Sequence, residues 1–178
     1  MLISDLPFIL TWWLVFLLVG IVFLPLTILV FSHFIDRGYI FSKVLGMLLL
    51  TYTIFALGTL KIMPFTHPAI IFVLFVWGGI SFFLLWRQKE EHVDTLRRSW
   101  KILLFEEALF LVALTFWSYI RAHEPSIHGL EKYMDFGFVN SILRSDYFPA
   151  KDLWLNPLTI NYYYFGHFMT GVLTKLSG

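Results

Sequence analysis

The sequence predicts an all-α, polytopic integral membrane protein with about five transmembrane helices and an amphipathic helix on the outer surface. Three observations predict it. Of the 178 residues, 58% are hydrophobic and only 14% are charged, whereas a soluble domain carries roughly a quarter charged residues. The apolar residues lie in runs long enough to cross a bilayer. The charged residues gather unevenly between those runs, the pattern that orients a chain in a membrane.

Residues 6–31 hold no ionisable group over 26 positions, ample for a span of ~20 residues with some tilt. Pro25 falls inside this run, where neighbouring helices can re-satisfy the freed carbonyl. The start, M-L-I-S-D, lacks a positive n-region and no small-residue cleavage site follows, so it reads as a retained anchor. Residues 32–43 form a linker carrying Asp36, Arg37 and Lys43, with a turn at Gly38. The second span covers 44–60 and reaches back to Tyr39 or Ile40. After a short turn at 61–67 with Pro64, the third span covers 68–86, with Pro68 suited to a helix start. Gly78-Gly79 inside it offers another helix a close approach.

Residues 87–101 form the one strongly polar linker, with Arg87, Lys89, Arg97, Arg98 and Lys101 against Glu90, Glu91 and Asp94. A fourth span covers 102–120, a long polar segment 121–156, and a fifth apolar segment 157–174. The chain therefore divides into 1–101, three transmembrane helices and a cytoplasmic linker, and 102–178, a span, an outer loop with its amphipathic helix, and a further span. Five Lys and Arg place the 87–101 linker in the cytoplasm. The 32–43 linker follows it there. The N-terminus, the 61–67 turn and the 121–156 segment are then outside. Trp86 and Trp100 at one face, and Trp117 and Trp154 at the other, fit interfacial belts.

Several function classes fall away. A net charge of +1 gives no footprint for a nucleic-acid partner. Without cysteine there is no disulfide framework and no thiolate metal site. No phosphate-binding glycine loop, H-E-x-x-H or G-x-S-x-G occurs. His33, His67, His92, His123 and His128 show no ligand spacing and read as loop or interfacial residues.

Three groups of side chains could carry chemistry. Glu106, Glu107 and Arg121 bound the fourth span. Residues 108–120 supply 13 positions, about 20 Å of helix at ~1.5 Å per residue, against a hydrocarbon core of ~30 Å. The two Glu are therefore drawn inward by roughly a turn. They read either as interfacial acids snorkelling to water or as a buried acid paired across helices. The first three spans offer no cation at depth, so a partner would lie elsewhere. Next, residues 130–143 have apolar side chains at 130, 134, 138 and 142, an amphipathic helix lying on the membrane. Glu131 and Asp135 stand there at i and i+4, on one face. They can perturb each other's proton affinity, bind a cation or act as a base; spacing alone favours a solvated face with a routine Lys132–Asp135 ion pair. Last comes Tyr162-Tyr163-Tyr164. These read as an aromatic belt, or as a polar side facing a cavity, with Asn161, Tyr164 and His167 together and Tyr163 meeting His167 at i,i+4.

The run E-K-Y-M-D-F-G-F-V-N-S-I-L-R-S-D-Y-F-P-A-K-D-L-W, followed by I-N-Y-Y-Y-F-G-H, closely resembles the archaeal and bacterial "YYY" membrane proteins, the Chlor_Arch_YYY family. The resemblance covers about 106–178 and includes E-E-x-L-F and W-x-x-x-R upstream. It departs at Pro149-Ala150, where a second Pro is expected, and at Asp152-Leu153-Trp154, where D-P-W is expected. Members are much longer, so the resemblance implies an N-terminal fragment whose partner is the remaining C-terminal part of the full-length protein. The family is similar in turn to the GT-C glycosyltransferases, whose span ending in Arg, Pro, outer-loop acid and Gly are matched here by Arg121, Pro125, Glu131 and Gly178.

That resemblance implies a GT-C-like N-terminal part. Its function would be transfer of a sugar from a polyprenyl-phosphate donor on the outer face of the plasma membrane. Glu131 would be the base or acceptor-orienting acid, and Asp135 its support or a metal contact. Lys132 or Arg144 would meet donor phosphate. Asp152, Trp154, Asn161, Tyr162, Tyr163, Tyr164 and His167 would line the pocket. Membrane lipids and the polyprenyl-linked donor are the implied partners, and a divalent metal is an open cofactor. The alternative is a non-catalytic polytopic protein, a transporter or scaffold whose polar residues line a pathway.

Overall fold

The computed structural model describes residues 5–87 and 89–178, with the side chains of all of these except 85, 89–93, 95 and 96. The first four residues of the expected anchor, and the side chains of Lys89, Glu90, Glu91 and His92, lie outside the described residues. The fold is all-α. Among the described residues six helices follow in order: α1 Leu6–Val30, α2 Tyr39–Thr59, α3 His67–Arg87, α4 Lys89–His123, α5 Lys132–Arg144 and α6 Phe165–Ser177. Among the described residues, four stretches are long and apolar enough to cross a membrane: Leu6–Val30, Tyr39–Thr59, His67–Leu84 and Arg97–His123.

Two expectations on element boundaries change. The polar stretch 87–101 is not a loop; from Lys89 onward it forms the first turns of α4. No Gly or Pro interrupts the chain from Ile80 to Glu124, and Asp94 stands at i,i+3 and i,i+4 to Arg97 and Arg98, spacings that support a helix. At the other end, the fifth apolar segment becomes helical only at Phe165. Residues 157–164 stay in a loop, tied at its start by an antiparallel bridge between Lys151 and Thr159.

The chain packs as two compact units. One takes the chain up to Met47 together with Leu74–Pro125; the other takes Leu48–Val73 and Ser126–Gly178. In the first, α1 lies along α4, with Phe16 meeting Phe110 edge-on at 5.3 Å. The start of α2 crosses α1 closely: a Cβ on Gly46 would come within 2.8 Å of Val19 and 2.9 Å of Phe23. Gly78-Gly79 makes no such approach, since nothing lies within 4 Å of a Cβ built on either; α3 instead meets α1 through Trp77 against Phe23, 5.1 Å apart.

In the second unit α5 packs on α6. Phe138, Ser141 and Ile142 of α5 are buried, as are Phe168, Gly171 and Val172 of α6. Beneath them Phe65, Phe148 and Phe168 form an aromatic core with centroid spacings of 4.5–5.3 Å, in the range of favourable edge and offset contacts.

Candidate functional site

The second unit gathers polar and aromatic side chains around one ring, Phe138. A tight turn starts the arrangement. Gly129 and Leu130 both have positive φ, and the chain enters α5 with Glu131 at the N-cap position. Asp135 follows in the first helical turn, its N–H donating to the Glu131 carbonyl at 2.9 Å. After α5 the chain folds back: Ser141 Oγ donates to the Lys151 carbonyl, and the Asp152 carboxylate accepts the N–H groups of Trp154 and Leu155 at 2.8 and 2.9 Å. This turn seats Trp154 edge-on to Phe138 at 5.8 Å. α6 then brings His167 across, its ring perpendicular to Phe138 at 5.4 Å. His167 Nε2 donates to Asp135 Oδ1 at 2.8 Å.

Tyr162 completes the ring of contacts, 5.7 Å from Phe138, and stacks on Tyr163 at 4.0 Å. Its hydroxyl donates to the Tyr163 hydroxyl at 2.8 Å. That hydrogen bond is the main reason its acidity is weakened, to a pKa of about 12, with desolvation and the nearby charges of Tyr163, Glu131 and Asp135 adding to it. The phenol is therefore a neutral donor and acceptor at neutral pH. His167 Nδ1 is buried and has no hydrogen-bond partner, while half of the Asp135 side chain faces solvent. Asp135 is thus oriented by His167 on one side and open to solvent on the other.

Of the residues singled out in the sequence, Asp135, Trp154, Tyr162, Tyr163 and His167 come together, with Glu131 exposed beside them. The others do not join. Asp152 is spent on the turn that holds Trp154. Arg144 lies in the last turn of α5, nine residues and about 14 Å of helical rise beyond Asp135. Tyr164 caps α6 and meets Phe55 edge-on at 6.2 Å, and burial weakens its acidity. Asn161 is exposed and Lys132 partly so. Tyr163 does not reach His167 at helical spacing, because α6 starts two residues after it. Sequence reasoning missed Phe138 as the hub, since its place on the apolar stripe reads as a lipid-facing position. Among the described residues no three His, Asp or Glu side chains gather as a metal site. A cation at Asp135 would draw its remaining ligands from substrate or water.

The first unit holds a different cluster. Glu107 on α4 accepts from Trp13 Nε1 of α1 at 2.6 Å, from the Tyr39 hydroxyl at 2.7 Å and from Lys43 Nζ at 2.5 Å, the last two on α2. The Lys43 and Glu107 side chains are 9% and 12% exposed, which makes this a buried ion pair. The expectation that the first three spans offer no cation is thereby corrected. The Asp36 carboxylate accepts from Gly38 and Ile40 N–H, so α2 starts at Tyr39 and Lys43 falls a turn inside it rather than in the linker. Glu106 takes no part; its Oε2 is buried without a partner. Arg121, at the far end of α4, donates to the carbonyls of Glu124 and Pro125.

Residues 49–178 match the family model described as Uncharacterized membrane protein (DUF2298). The chain belongs to this family. No curated protein and no solved structure matches it. As a DUF2298 member with four membrane-length helices among its described residues, it is an integral membrane protein. The DUF2298 match contains the whole Asp135–His167 cluster and Glu107, but not Trp13, Tyr39 or Lys43.

Proposed function

We propose that this chain is the N-terminal, GT-C-like part of a plasma-membrane glycosyltransferase of the YYY type, transferring a sugar from a polyprenyl-phosphate donor to an acceptor outside the cell. The observation that carries the reading is the gathering of the Asp135–His167 pair with Trp154, Tyr162 and Tyr163 around Phe138. Flat aromatic faces suit the apolar faces of sugar rings. The exposed carboxylates of Glu131 and Asp135 suit a hydroxyl acceptor.

In the transfer, the acceptor oxygen attacks the anomeric carbon, the carbon–oxygen bond to the donor phosphate breaks, and polyprenyl phosphate leaves. The acceptor proton passes to a carboxylate. We assign that role to Glu131, with Asp135, oriented by His167, holding the acceptor. The test is transfer of labelled sugar from polyprenyl-phosphate by membranes carrying the whole protein. Glu131→Gln should lose ~10²–10⁴-fold in rate, since an amide cannot take a proton, and Asp135→Asn should lose less. Wild-type rates in Glu131→Gln at normal expression would remove Glu131 from the mechanism.

A second reading, a non-catalytic transporter or scaffold, draws support from the buried Lys43–Glu107 pair, since ionisable groups within spans often line pathways. Substrate flux in proteoliposomes, with no transfer from any polyprenyl donor, would favour it.

A further inference from the structure

Within the loop between α5 and α6, residues 150–160 form a hairpin. Ile160 N–H donates to the Ala150 carbonyl at 2.9 Å and Asp152 N–H to the Leu158 carbonyl at 2.8 Å, on either side of the bridge between Lys151 and Thr159. Its base is seated, with Ala150 and Ile160 buried. Its tip is not. Leu153, Trp154, Leu155 and Leu158 are 45–63% exposed, an apolar cluster that is unfavourable in water. Two observations say what covers it. The first is where the hairpin is fastened. Phe65 N–H donates to the Asp146 carbonyl at 2.7 Å, and Phe148 N–H to the Gly58 carbonyl at 3.4 Å. The segment leading into the hairpin is thus tied to the turn 60–66, which joins two membrane-length helices, α2 and α3. A turn between consecutive spans lies at a bilayer surface, and Leu60 and Ile62 in it are exposed as well. The second is how the tip uses its backbone. The Asp152 carboxylate takes the N–H groups of Trp154 and Leu155, the Leu155 carbonyl takes that of Leu158, and Pro157 has none. Backbone that enters lipid has to satisfy its polar groups internally, and these positions ask nothing of water.

We propose that this hairpin dips its tip into the bilayer, with Leu153, Trp154, Leu155 and Leu158 at the boundary between headgroups and acyl chains. Apolar side chains bury to that depth when the polar part of an element stays in water, and Trp favours the headgroup level. Lys151, exposed at the base, and the Asn156 amide stop the hairpin there, since polar groups deeper in the bilayer are costly. The contact has a consequence for the neighbouring cluster. Leu153 lies over Gly137, where a Cβ would come within 2.5 Å of its Cδ1, and Trp154 and His167 share Phe138 as a neighbour. The Trp154 side of the Asp135–His167 cluster therefore opens at headgroup level, within reach of a ligand carried on a lipid. The hairpin's contact with lipid does not depend on the transferase reading.

The experiment is depth-dependent quenching in phosphatidylcholine nanodiscs. The chain has no cysteine, so Leu155→Cys carries a single nitrobenzoxadiazole fluorophore. Leu155 is exposed and the turn is held by its N–H, not its side chain, so the variant keeps the fold; Leu158→Cys repeats the measurement at a second exposed position. Phe75→Cys, exposed at the middle of α3, is the reference for full immersion. At Leu155 and Leu158 the emission should be blue-shifted. It should be quenched about twofold by phospholipid with a doxyl group near the top of its acyl chain, and less by doxyl near the chain end, as interfacial depth requires. The reference should show the reverse order, and iodide in the water should quench none of the three. Quenching of both tip positions by iodide but by neither doxyl lipid would leave the hairpin in water and overturn the proposal. Shielding of both from iodide and doxyl alike would mean that protein covers the tip, and would overturn the assignment to lipid.

Discussion

Glu107 accepts three donors from two other helices, and one of them is a buried cation. Removing one partner of such a pair leaves an uncompensated charge, at a cost of ~3–5 kcal/mol, whereas replacing both by apolar residues of similar volume is often tolerated. Glu107→Leu should therefore destabilise the detergent-solubilised protein by about that amount, and adding Lys43→Met should recover much of the loss. Thermal unfolding of the two single variants and the double variant measures it; single variants as stable as wild type would show that the pair holds nothing together. The sequence raised a buried, paired acid at Glu106 or Glu107 as one of two readings, through the 13-residue run behind them. It could not say which Glu pairs, because adjacent helical residues point ~100° apart and only packing against α1 and α2 decides. The start of α2 was legible: the apolar run reaches back to Tyr39 or Ile40, where the helix begins, and Asp36 ahead of it is a capping signal; counting Lys43 with that helix rather than with the linker would have supplied the cation.

At the scale of elements, the Phe138 cluster depends on the loop between α5 and α6, and that loop depends on Asp152. Its carboxylate holds two amides. Asp152→Ala should speed hydrogen exchange at Trp154 and Leu155 by about tenfold, in line with ~0.5–1.5 kcal/mol per hydrogen bond. Asp152→Asn keeps an acceptor oxygen and should protect both amides nearly as well. Unchanged exchange in the alanine variant would mean that Trp154 is placed by other contacts. The helices themselves were readable from apolar runs, and α5 from its stripe at 130, 134, 138 and 142. The extension of α4 into the charged stretch was readable too, had the lack of Gly and Pro been weighed above polarity. The loop was not. Asp135 and His167 are 32 residues apart, and no periodicity announces a contact made by a chain that folds back between them. The helical spacing drawn from Asn161 to His167 failed because the chain is not helical before Phe165.

For the whole molecule, the transferase reading requires Glu131 and Asp135 on the outer face. Arg87, Lys89, Arg97, Arg98 and Lys101 crowd the segment at the start of α4, and such a segment resists translocation. With a single crossing by α4, the residues after His123 should lie on the other side of the membrane. The chain has no cysteine, so a single introduced thiol can be tagged without background. Ser99 is a poor reporter, being buried and bonded to the Ile35 carbonyl. Asp94 is exposed, and Asp94→Cys keeps all five basic residues in place. Leu130 is 98% exposed, which makes Leu130→Cys the opposite reporter. An impermeant maleimide should label Leu130→Cys in intact cells and label Asp94→Cys only after permeabilisation. The reverse pattern would put Glu131 and Asp135 in the cytoplasm. An outer-face acceptor could not then reach them, and the transferase reading in its present form would fall even if both acids proved essential.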